Sequence, residues 1–500
     1  ADGLDRIDGL IGASRALVMM GNYLEAEEIV AEAIEDGAYA DFPLLTTQLA
    51  EIKRRTGQSR AALEILQQAI EGNAEPPVRS LVQYGSLLKF TGQQGQWQQV
   101  LDRVVQRYNA GLVFSSEDVA MVALASWLMG NFHDANSLFD EATRANPNNL
   151  EAHTLWADLF LEKYNAADAE QSYQDALDVN ARYVPALVGI AQVVGDERSL
   201  LRALAINPNS VQALETYAQL LMINGREQEA EEYFDKVLEL NPESLKTLSV
   251  LAASAALEER MDDFAGYQRR VEAFSPGNAE FLGHIADSFG NNYRFEEAVH
   301  YARASIEADP EYWQGHTLLG SNLIRLGEEE EGKQSLEIGF ENDPFNVMTS
   351  NMLKVFDTLE TYATVESEHF KVHMSERDSL ILWPYLEPLL EEGWDTLTAK
   401  YGFEPEGKIL IEVFENSADF AVRSVGLPDI GPLVGICFGK VITLISPDTL
   451  TANWQEIVWH EFMHVITLQM TQNRMPRWLS EGISVWEERE GRPYWGRRQG

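Results

Sequence analysis

Residues 459–468 read WHEFMHVITL, with His460 and His464 four apart and Glu461 beside the first of them. On a helix, positions four apart share a face, their Cβ atoms about 6 Å from one another. Both imidazoles can then reach one zinc ion at bond lengths of about 2.0–2.1 Å. Glu461 projects beside such a metal without ligating it, where it can take a proton from zinc-activated water. The pattern also fits two histidines on an ordinary helix turn. In 500 residues with nine histidines it arises by chance on the order of one time in a hundred. Two ligands do not hold a catalytic metal, so a third must come from elsewhere in the chain.

The stretch MPRWLSEGISVWEE (475–488) supplies a candidate in Glu481, seventeen residues after His464. Pro476 suits the first turn of a helix, and Gly482 allows close helix approach. A carboxylate from this second helix completes three protein ligands and leaves one zinc position open for water, as catalytic sites do. Together HEFMH and WLSEG resemble the gluzincin metallopeptidases, whose third ligand is a glutamate in a W-L-x-E-G context. More narrowly, strands followed by these two motifs look like the bacterial peptidase MA-like metallohydrolases, which often trail repeat arrays. The resemblance covers about residues 366–500.

It implies one Zn2+ per chain held by His460, His464 and Glu481, with Glu461 as general base and proton shuttle in peptide-bond hydrolysis. Glu487 and Glu488, one to two turns further on, read as solvated helix charges or as groups that orient a ligating histidine. Members of that family also place a tyrosine or histidine well past the glutamate ligand to stabilise the oxyanion. Nineteen residues follow Glu481 here, and Arg492 and Tyr494 are the candidates, although neither position matches the family's. The expectation is a catalytic module incomplete at its C-terminal end.

The elements that must position these residues begin near 366. HFKVHM (369–374) alternates like a strand, and a long helical pattern follows in LILWPYLEPLLEEGWDTLTAKYG. KILIEVFE (408–415) reads as a second strand, ADFAVRSVG as a short helix, and VGICFGKVITLISP (434–447) as one or two β-branched strands. The motif helix then spans roughly Trp454 to Gln472, and another runs from about Pro476 to Arg489. This is an α+β module. GKVITLISP resembles the edge strand that pairs with extended substrate in such enzymes, with an interior strand as the alternative. His369 and His373 read as structural, and Cys437 as a buried thiol.

Upstream the chain keeps a different ruler. Prolines at 208, 242, 276, 310 and 344 are each thirty-four residues apart, and the step from Ala181 to Pro208 is seven short. Small residues recur at fixed offsets: Ala157, Ala191, Ala218, Ala252, Ala286 and Gly320 in one series, and Ala135, Ala169, Ala230, Ala298 and Gly332 in the other. Small residues let antiparallel helices approach closely. The pattern resembles the tetratricopeptide repeat in GREQEAEEYFDKVLELNP and YRFEEAVHYARASIEADP, most strongly over 114–350. GNYLEAEEIVAEAIEDG and TGQSRAALEILQQAIEGN extend it upstream with drifted spacing. The expected fold is thus mainly α: an α-solenoid of tetratricopeptide-like helix pairs over 1–350, a linker at 351–365, and a zincin-like metallopeptidase domain over 366–500.

Charge and composition narrow the partners. Acidic residues outnumber basic ones 79 to 38, a formal net charge of −41. Such a surface repels phosphate backbones and anionic lipid heads, and disfavours carboxylate tails on the solenoid's concave face. A single cysteine excludes an intramolecular disulfide and a thiolate-cluster zinc site. No run approaches the roughly eighteen apolar residues of a membrane span. The chain opens at Ala1 without a charged n-region or an apolar h-region, as after removal of a signal or as a piece of a longer, exported protein. The function expected is a zinc metallopeptidase whose repeats bind a peptide or protein. The alternative is a non-catalytic interaction scaffold with a zinc-binding, peptidase-like module.

Overall fold

The small positions of the thirty-four-residue ruler are where helices touch. Ala135, Ala157, Ala169, Ala218, Ala230, Ala252, Ala286 and Ala298 are all fully buried. At one close crossing, a Cβ on Gly320 would come within 2.7 Å of the Gly332 carbonyl oxygen. The prolines of the ruler sit in the turns between helix pairs, ahead of the next helix start. The helix starts are capped by side chains further on: Asn149, Ser210, Ser244 and Asn346 each accept a backbone N–H from the first turn. The seven missing residues shorten one pair, whose second helix has 10 residues where its counterparts before and after have 14.

The computed structural model describes residues 2–35, 42–93, 95–429, 431–449 and 452–491. It divides into two compact units, residues 1–281 and 282–500. The first holds helices α1 (Asp2–Met19) to α16 (Met261–Phe274), paired in antiparallel fashion. Within it the early turns meet the proline turns of later repeats: the Tyr23 hydroxyl donates to the Asn209 carbonyl at 3.1 Å, and the Ser59 N–H to Glu243 at 2.9 Å. Gly57, at a φ of +67°, has Pro242 Cδ within 2.6 Å of where a Cβ would stand, so both the backbone and the space require glycine there.

The second unit joins the later repeat helices to a five-stranded sheet. Its helices run from α17 (Ala279–Asn291), α18 (Phe295–Ala308), α19 (Trp313–Arg325) and α20 (Glu329–Asn342) to α21 (Val347–Leu359). The strands are β1 (Ala363–Glu366), β2 (Phe370–Met374), β3 (Ile409–Phe414), β4 (Gly435–Cys437) and β5 (Val441–Ile445), in the order β1-β2-β3-β5-β4. The central pairs are parallel and the outer two antiparallel. The stretch read as a linker at 351–365 therefore holds the rest of α21 and β1.

The long pattern after β2 breaks at Leu382 into α22 (Glu376–Ile381) and α23 (Trp383–Tyr401). Then come α24 (Ser417–Val425), α25 (Trp454–Met470) and α26 (Arg477–Gly491). Every residue of β3 is buried, because both faces of the sheet are covered. Ile409, Ile411 and Val413 pack with Leu390, Trp459, Phe462 and Ile466 of α23 and α25. On the other face Phe414 joins Phe420 of α24 and Met352, Phe356 and Leu359 of α21. A cut at 355–365 would divide this shared core. β5 lies between β3 and β4, so GKVITLISP is the interior strand and the edge is β4.

Candidate metal centre

α25 is apolar nearly all round and is buried from Val458 to Leu468 except at His460. It packs between α23, the β4–β5 hairpin and α26. Gln472 and Asn473 take left-handed backbone at φ of 51° and 58°, turning the chain sharply between the two helices. α26 then lays Ser480, Ser484 and Glu487 against the module, each at most 3% exposed. Glu487 fixes the helix by accepting from Lys400 Nζ at 2.8 Å and the Tyr401 hydroxyl at 2.6 Å.

This turn brings Glu481 over the two histidines. The Nε2 atoms of His460 and His464 are 3.0 Å apart, and Glu481 Oε2 lies 3.3 Å from the first and 3.6 Å from the second. Bonds of about 2.0–2.1 Å at tetrahedral angles put neighbouring donors about 3.3 Å apart. The three distances bracket that value, and two imidazoles with a carboxylate are a donor set zinc accepts. The residues fit the metal.

The far sides of both rings are held. His460 Nδ1 lies 2.5 Å from Glu488 Oε1, and a carboxylate there makes Nδ1 the protonated nitrogen. His464 Nδ1 stands 2.8 Å from Ser480 Oγ, which is 2.7 Å from Thr467 Oγ1. Thr467 in turn donates to the Met463 carbonyl at 3.2 Å, so the chain of donors starts at His464 Nδ1–H. Both Nε2 lone pairs then face each other, an arrangement stable only around a shared positive centre, a proton or a metal ion.

Burial, helped by the His460 charge, lowers the His464 pKa to about 4, so that imidazole is neutral at physiological pH. Burial also opposes charge on His460, but the Glu488 hydrogen bond and the charges of Glu461, Glu488 and Glu481 outweigh it and raise its pKa. Glu461 is 6% exposed. Burial, against the pull of His460 and with the push of Glu481 and Glu488, raises its pKa to about 7. A carboxyl with that pKa can both take and return a proton near neutral pH.

Some residues at the site carry no recognisable sequence signal. Gly435 on β4 abuts the general-base candidate: a Cβ there would meet Glu461 Oε1 at 2.7 Å. Glu488 belongs to His460, whereas its neighbour Glu487 anchors the helix. His369 is structural, its Nδ1 2.6 Å from Glu391 and its ring stacked on Trp394 at 4.0 Å. Cys437 is buried, and burial raises its thiol pKa well above the ordinary value. Arg492 and Tyr494 lie outside the described residues.

Among the described residues, no helix is long and apolar enough to cross a membrane. Family models for the tetratricopeptide repeat match residues 123–185 and 211–244, so these parts of the helical array are such repeats. No curated protein matches the chain. Among solved structures, the crystal structure of the yeast Tom70 aligns at 15% identity and a TM-score of 0.34, covering 70% of this chain and 88% of that one. A score this low leaves the fold to be read from the chain's own helices.

Proposed function

We propose that the C-terminal module is a zinc-dependent metallopeptidase of the gluzincin type, acting on peptide or protein chains that the tetratricopeptide repeats help to recruit. The observation that carries this reading is the convergence of His460 Nε2, His464 Nε2 and Glu481 Oε2 within 3.6 Å of one another. A zinc ion held by these atoms supplies Lewis acidity for a scissile carbonyl and lowers the pKa of water. Glu461, buried next to the set, would take the proton of the attacking water and return it to the leaving amine. β4 offers an unpaired backbone edge among the described residues, and an extended substrate added there would pass Gly435 beside Glu461.

A second reading is a scaffold that binds through its repeats and no longer cuts. The matches to tetratricopeptide models favour it. Glu461→Gln separates the two. Glutamine keeps the shape but accepts no proton, so zinc should remain while peptide hydrolysis falls at least ~100-fold. Undiminished hydrolysis in the variant would remove Glu461 as the base. A zinc-loaded wild type that cleaves nothing across a broad peptide library would establish the scaffold.

A further inference from the structure

A second convergence of ligand atoms lies on the opposite face of the same sheet. His373 of β2 and Glu412 of β3 are register partners on parallel strands, so their side chains stand side by side. Glu329, the first residue of α20, meets them there. One donor atom from each of the three lies within 4.8 Å of the others.

Glu412 is the unusual member. It is fully buried, and among the described residues it pairs with Arg423 of α24, whose Nε lies 2.8 Å from Oε2. Among the described residues, neither carboxylate oxygen has a hydrogen bond of good geometry. Glu329 brings a second carboxyl group to the same spot. Arg423 also donates Nη2–H to the Ile324 carbonyl at 3.3 Å. Two carboxylates this close in a buried site need a shared positive centre, a proton or a cation, and the neighbouring imidazole completes a donor set that a metal ion accepts.

We propose that Glu329, His373 and Glu412 bind a second divalent cation, of the first-row transition class that accepts mixed nitrogen and oxygen ligands. Imidazole among the donors disfavours magnesium and calcium. Arg423 supports Glu412 from behind, as groups behind metal-ligating carboxylates do. The three ligands come from a repeat helix and two strands, so the ion clasps the last repeats to the sheet. This site is independent of the peptidase reading.

Metal counting on the whole chain tests it. His464→Ala protein, which lacks a ligand of the first site, is loaded with zinc chloride, desalted and analysed for metal. One zinc equivalent should remain. Adding His373→Ala, or Glu329→Gln at its half-buried helix start, should remove that equivalent with the circular dichroism unchanged. The same two changes in the wild-type background should each cost one equivalent, whatever becomes of the first site. Folded His464→Ala protein that retains no zinc, cobalt or manganese would overturn the proposal. So would an equivalent that survives the loss of His373.

Discussion

His460 Nδ1 stands 2.5 Å from Oε1 of Glu488, a residue on the neighbouring helix. The contact fixes which ring nitrogen faces the ligand cluster and strengthens that nitrogen as a donor. Glu488→Ala should therefore weaken zinc binding by about 10- to 100-fold, read by competition against a chromogenic chelator. Unchanged affinity would return Glu488 to the role of a solvated helix charge.

Gly435 leaves no room for a side chain beside Glu461, since a Cβ would stand 2.7 Å from Oε1. Gly435→Ala should push the Glu461 carboxylate off its position while leaving the three ligands in place. Hydrolysis should drop on the order of tenfold to a hundredfold, as expected for a misplacement near 1 Å, with zinc content intact. Loss of zinc in step with activity would mean that the substitution disturbs the whole helix instead.

Asp158 gives the first unit a pH signature. The Tyr173 hydroxyl donates to it at 2.5 Å, but burial dominates and pushes its carboxyl up to about 6. An acid whose folded pKa is raised binds its proton more tightly when folded, so stability is gained as pH falls from about 6 toward the unfolded value near 4 and lost above 6. Asp158→Asn keeps an acceptor for Tyr173 and removes the charge. The variant should melt higher than wild type at pH 7.5, and the gap should close by pH 4.5. A gap constant across that range would contradict the assignment.

Legibility in the sequence followed the range of the interactions. Two histidines four apart announce one helix face, and WLSEG marks the next helix, so the three residues that the fold brings together, candidate ligands, could be read locally. Glu488 could not, because a glutamate on an amphipathic helix looks the same whether it meets water or His460. Small residues every thirty-four positions disclosed the repeats, since close helix crossings admit little else. β1 escaped because ATVE is only four residues, two half-buried and two exposed, with a weak signal. β5 was ambiguous because VITLI is buried throughout, and a short apolar run does not tell an edge from an interior strand. The partnership of His373 with Glu412 depends on the register of two strands nearly forty residues apart, which no local pattern encodes.

The central claim is that His460, His464 and Glu481 together hold zinc, and elemental analysis of the purified chain tests it most directly. Wild type and His464→Ala, grown with zinc supplied and desalted in parallel, should differ by one zinc equivalent per chain. Their circular dichroism should match, because the repeats fold on contacts that do not involve the site. Equal zinc content in the two folded proteins would contradict the account.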